Sequence, residues 1–125
     1  MFEVKINQVK KLTDEVISDV LCCAFEGGSN YWCVIKKYGN PDNIKCEQRY
    51  LDLPLSEKGF VMIGTVDDGI ADKPIRLDRK SIAKGLQLMQ DKYPEHFNNI
   101  LDDNFDAETG DVMLQMAVFK ELVYG

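Results

Sequence analysis

Histidine occurs once in this chain, at position 96, and tryptophan once, at position 32. No apolar run approaches the ~20 residues that cross a bilayer, and no basic start followed by an apolar block opens the sequence. A cytosolic protein with no membrane contact is therefore expected. With one imidazole, catalysis by a histidine pair is excluded. A zinc site has little to draw on, because Cys22, Cys23, Cys33 and Cys46 show none of the C-x2-C spacings such sites use. Lys and Arg are missing from Pro94 to Phe119, where Glu95, Asp102, Asp103, Asp106, Glu108 and Asp111 all fall. Internal repeats and low-complexity tracts are absent too.

What is present fits one globular domain. The chain has 125 residues, 45% of them hydrophobic and 29% charged, a size and balance typical of single domains. Residues 1 to 125 are read as one α+β domain. A net charge of −6 sets direct nucleic-acid binding aside, since phosphates repel an acidic body. The stretch from Lys73 to Lys84 is locally basic and could hold an anion. Cys22 and Cys23, adjacent on a helix, point in different directions, and a domain of this size needs no covalent staples. Free thiols are expected.

Phe2, Val4 and Ile6 alternate with polar residues, the period of a half-buried strand. Thr13 or Asp14 is placed to cap a helix whose apolar positions run from Val16 to Phe25. Gly27 and Gly28 then read as its left-handed C-cap. Strands are expected over Trp32 to Tyr38, Phe60 to Val66 and Ile75 to Leu77. "RYLDLPL" (49 to 55) reads as an edge strand, confined there by Pro54. Asp78 caps a second helix with Ile82, Leu86, Met89 and Tyr93 in one stripe, and Gly85 beside that stripe would admit a close neighbour. A short helical turn follows over 95 to 101. The last helix, Val112 to Val123, is apolar nearly all round and so buried, or half of an oligomer interface. The fold expected is a mostly antiparallel sheet packed by about three helices, with the C-terminal helix buried.

Few constellations point to chemistry. "DDNFDAETGDVM" starts like a calcium loop but has Ala107 where the turn needs glycine and Met113 where a bidentate glutamate belongs. Its acidic residues suit a helix N-terminus instead. Cys22 and Cys23 sit at the negative end of a helix, which opposes thiolate formation, leaving Cys33 as the conceivable nucleophile. No metal or cofactor is expected. The least ordinary stretch is "EGGSNYW" (26 to 32). Its strand and helix order is the reverse of a phosphate loop. Ser29, Asn30 and Tyr31, taken as exposed, with Trp32 as an aromatic plate, could hold a small polar ligand or a peptide; equally, Tyr31 and Trp32 could anchor a strand on the core.

"AFEGGSNYWC", "IAKGLQLMQDKYPEHF" and "GDVMLQMAVFKELVYG" together resemble a family of small uncharacterised proteins encoded by tailed bacteriophages, prophages and other mobile elements. That family has an E-G-G-x-N-Y-W signature, a K-G-L helix and an A-D-V-x-x-Q-x-A-x-x-G-E-[LIV]-V-[FY]-G ending. Glu26, Gly27, Gly28, Asn30, Tyr31 and Trp32 match the first, and Lys84, Gly85 and Leu86 the second. Asp111, Val112, Gln115, Ala117, Glu121, Leu122, Val123, Tyr124 and Gly125 match the third. The chain departs at Gly110, where alanine is usual, and at Lys120, where glycine is usual. Residues 40 to 75 match poorly. The resemblance implies a non-enzymatic accessory protein in the cytoplasm of a bacterial host, binding a host protein, a component of antiviral defence among them, or a small ligand. The binding residues expected are Glu26, Ser29, Asn30, Tyr31, Trp32, Glu121 and Tyr124, with the acidic region around Asp102 to Asp111 a further contributor. Two alternatives stand beside it: a small hydrolase or transferase using Cys33 or a carboxylate, and an acidic mimic of nucleic acid.

Overall fold

The computed structural model describes residues 12–67 and 73–125. The strand expected over residues 2 to 6 lies outside the described residues, as does part of the turn at 67 to 69. Thr13 accepts the Val16 amide at 3.2 Å and opens α1 (Asp14–Cys23), which buries Ile17, Val20 and Leu21. The helix does not end in a left-handed glycine cap. It widens into a π-helical turn, Ala24–Gly28, closed by the Ser29 amide donating to the Ala24 carbonyl at 2.8 Å. Neither Gly27 nor Gly28 has a positive φ, so the expected role of these glycines is corrected. What Gly28 supplies is room, because a Cβ there would lie 2.1 Å from the carbonyl oxygen of Ala107.

Three strands, β1 (Cys33–Gly39), β2 (Phe60–Thr65) and β3 (Ile75–Leu77), form an antiparallel sheet in that order. Ile35 stands opposite Ile63, and Val61 lies between Tyr38 and Leu77, with a bulge at Lys36. The segment expected as an edge strand is instead a helix, α2 (Arg49–Leu55). The Asp52 carboxylate accepts the amides of Glu47 and Gln48 at 3.0 and 3.2 Å and so closes the helix start. Pro54 sits in the last turn, where its missing N–H removes a single hydrogen bond. Leu51, Leu53 and Pro54 are buried, and α2 packs on α1 and β2.

Asp78 and Ser81 form a reciprocal capping box at the start of α3 (Arg79–Lys92), and α4 (Pro94–Leu101) follows with proline in its first turn. Asp106 accepts the Thr109 amide at 3.0 Å to cap α5 (Ala107–Phe119). From Thr109 to Val118 every residue of α5 except Asp111 is buried, and the helix packs against α3, α1, the π turn, α4 and β3. The expected α+β architecture with a buried last helix is thus observed, with five α-helices among the described residues. Close packing depends on missing side chains. A Cβ on Gly85 would lie 2.7 Å from the Ala117 backbone, and one on Gly110 would lie 2.7 Å from the Ala24 nitrogen.

The apolar surface of α5 that suggested an oligomer interface is therefore covered within the chain. The helix also stops earlier than its apolar pattern implied. Lys120 takes a left-handed conformation, φ 64°, which disfavours a side chain by about 1 kcal/mol and turns the last residues back along α5. Leu122 consequently lies outside the helix and is 39% exposed. Gly28→Ala should lower unfolding free energy by about 1–3 kcal/mol in urea titrations, as overpacked sites do. Gly27→Ala, with nothing within 4 Å of its new Cβ, should be neutral or slightly stabilising in the same assay.

Candidate functional site

The π turn and the four residues after it present two faces. Facing inward, Asp111 on α5 gathers the segment. Its Oδ1 accepts the Ser29 hydroxyl at 2.8 Å and the Trp32 indole N–H at 2.7 Å. Its Oδ2 accepts the Tyr31 hydroxyl at 2.6 Å and the Gln115 amide at 3.2 Å. With two donors on each oxygen the carboxylate is occupied, neither a free base nor a free ligand. Ser29 and Trp32 are fully buried. The exposure expected of Ser29, and the aromatic plate expected of Trp32, are corrected on that ground.

Gln115, one helical turn further along α5 and 1% exposed, extends the network to the C-terminal residues. Its Oε1 accepts the amides of Val123 and Tyr124, both at 2.9 Å, and its Nε2 donates to the Tyr124 carbonyl at 3.1 Å. The Tyr124 ring stacks on Trp32 at 5.5 Å with planes 3° apart, and Phe119 lies 5.1 Å from the same indole. The Tyr124 hydroxyl reaches Asp67 at 3.2 Å. The expectation that the C-terminus packs beside the 26 to 32 loop thus holds for Tyr124. Glu121 is exposed and joins none of these hydrogen bonds.

Facing outward, Glu26 and Asn30 are exposed and rim an open pocket of about 340 Å³ completed by Phe25, Cys33, Ile35 and Tyr50. The π turn places them there: residues that an α-helical turn would carry around the helix are displaced, a device frequent at functional sites. Tyr50 donates its hydroxyl to Glu26 and meets Phe25 edge to face at 5.7 Å. That hydrogen bond is the main reason the Tyr50 hydroxyl is pushed up to about 12. Cys33 lines the same pocket, and burial, aided by the Asp111 charge, raises its thiol to about 12. Burial likewise raises Cys22 and Cys23. His96 engages the Thr109 hydroxyl at 3.1 Å at the start of α5. Among the described residues no group of three or more His, Cys, Asp or Glu is disposed to hold a metal.

Of the seven residues expected to bind, the structure brings Ser29, Tyr31, Trp32 and Tyr124 together around Asp111, turns Glu26 and Asn30 to the pocket, and leaves Glu121 apart. Tyr50 was missed because its segment reads as a strand. Asp111 and Gln115 had a readable signal as an i, i+4 polar pair in a stretch, Gly110 to Phe119, that is otherwise apolar. No family model, curated protein or solved structure matches the chain.

Asp111→Ala strands the indole N–H and the Ser29 hydroxyl in the interior and should cost about 3 kcal/mol in denaturant titrations, at about 1–3 kcal/mol per unpaired buried group. Asp111→Asn should fall between that variant and the parent. Stability should also decline in alkali. The unfolded chain releases the Cys33 proton near 9 and the folded one near 12. The folded state then holds more protons, so the contribution is complete below pH 9 and is lost as pH rises to 12. Melting followed by Trp32 fluorescence across that range checks it, and Cys33→Ala should flatten the decline.

Proposed function

We propose that this is a non-enzymatic binding protein whose recognition site is the pocket rimmed by Glu26 and Asn30. The observation that carries the reading is the division of the 26 to 32 segment. Its inward hydrogen-bonding groups are used up on Asp111, while its outward groups are the Glu26 carboxylate, which accepts the Tyr50 hydroxyl, and the Asn30 amide, which makes no hydrogen bond among the described residues, beside the apolar Phe25 and Ile35. A small number of polar groups over an apolar lining is the usual composition of a ligand site. The volume matches a small ligand or one side chain of a partner peptide.

Two further facts favour binding over catalysis. Cys33 is the thiol that lines the pocket, and a group held neutral to about 12 is a poor nucleophile, since the thiolate is the reactive form. The partly buried carboxylate, Asp111, is saturated with donors. By resemblance to proteins of phages and prophages, the partner is a host component, with antiviral defence machinery among the candidates.

The test compares wild type with Glu26→Gln and Asn30→Ala as immobilised baits in bacterial lysate, alongside native mass spectrometry for small ligands. A partner or ligand retained by wild type and lost from both variants is expected. Retention unchanged by either variant, or nothing retained at all, would overturn the reading. Iodoacetamide labelling separates it from the enzymatic alternative: Cys33 should react slowly, and a single hyper-reactive Cys33 would favour a hydrolase or transferase.

A further inference from the structure

A second cavity, about 530 Å³, opens on the opposite charge regime. The chain as a whole carries −6, yet this cavity is lined by Lys58, Arg76, Arg79 and Lys80 against Glu57 and Asp78. Most of these charges have fixed positions. The Arg76 guanidinium lies 3.9 Å over the Phe60 ring and donates its Nε to Asp78 at 2.9 Å. Arg79 holds Asp14 through both terminal nitrogens, at 3.0 and 2.8 Å, and the Leu55 carbonyl at 2.6 Å. Asp78 is engaged by Arg76 and, as a helix cap, by the Ser81 amide at 3.0 Å.

What remains uncommitted is mostly positive. Arg76 is anchored through its Nε and ring face, and among the described residues its two terminal nitrogens make no hydrogen bond, which leaves a planar fork of the kind that grips oxyanions bidentately. Lys58 and Lys80 make no ion pair among the described residues. Anchoring lowers the entropy lost when the fork closes on a ligand. A doubly charged tetrahedral oxyanion answers one fork and two ammonium groups better than a single carboxylate does. We infer that this cavity is a binding site for a phosphate group, free or as the monoester of a small molecule. Glu57, which among the described residues has no hydrogen-bond or ion-pair partner, opposes such a ligand and tunes its affinity down.

Titration of the ¹⁵N-labelled protein with inorganic phosphate and, separately, glycerol 3-phosphate tests this. Amide shifts are expected at Lys58, Arg76 and Lys80. Equal affinity for both probes identifies free phosphate as the ligand, and tighter binding of the ester identifies a phosphomonoester. Arg76→Gln should weaken binding about tenfold, the loss of one charge-assisted contact, with Arg76→Lys in between. Glu57→Gln, which alters no fold contact, should tighten it. Absence of shifts with both probes, equal binding of acetate, or affinities unchanged in both Arg76→Gln and Glu57→Gln would overturn the assignment.

Discussion

Four donors converge on the carboxylate of Asp111, and the arrangement of the whole molecule follows from that convergence. The acceptor sits on the most buried helix, and three of its donors come from a segment 79 to 82 residues earlier in the chain. A partly buried carboxylate is tolerable only when its lone pairs are matched. Here the matching groups are hydroxyls, an indole and an amide, with no cation among them. The helices must approach closely for such short side chains to reach, and they do so where Gly28 and Gly110 leave room against Ala107 and Ala24. The hydrogen bonds and the missing side chains are thus one construction.

That construction governs where binding chemistry is available. Ser29 and Trp32 face the interior and the half-exposed Tyr31 has its hydroxyl tied to Asp111, so the segment's uncommitted capacity to recognise anything else rests on Glu26 and Asn30. The charged groups are distributed on similar lines. The Arg79 pair with Asp14 is exposed on both sides, and such pairs add little to stability; what it does is hold one guanidinium in place beside the cavity at the start of α3. The acidic loop before α5 is in part consumed by capping, with Asp106 accepting both the amide and the hydroxyl of Thr109.

Sequence pattern revealed elements whose cause is local. The Asp78 cap, the strand from Ile75 to Leu77, and Gly85 against a neighbouring helix all follow from capping, β-branching and close packing, and all are as expected. The misreadings share a different origin. Leu51, Leu53 and Leu55 alternate as a strand would, but Asp52 closes a helix start from the fifth residue before it, and burial against α1 and β2 decides the outcome. Gly27 and Gly28 look like a terminator because glycine so often is one; that Ala107 would lie against Gly28 is a tertiary fact. The pattern to Val123 promised a longer helix, and a left-handed residue that is not glycine gave no warning of its end. In the candidate site, Tyr31, Trp32 and Tyr124 were identifiable as a group, whereas Asp111, the acceptor shared by Tyr31 and Trp32, was read with the acidic region before the last helix, and its companion Gln115 fell in a stretch read as core.

The π turn at Ala24–Gly28 holds one residue more than the α turn it replaces. An α-helix advances about 100° per residue, so removing any one of those five residues would swing everything after it by more than a quarter of a circle. Point changes at Glu26 or Asn30 alter what the pocket offers, but a one-residue deletion would carry Ser29 and Trp32 away from Asp111 altogether. The length of this turn, as much as its composition, is what the segment has to keep.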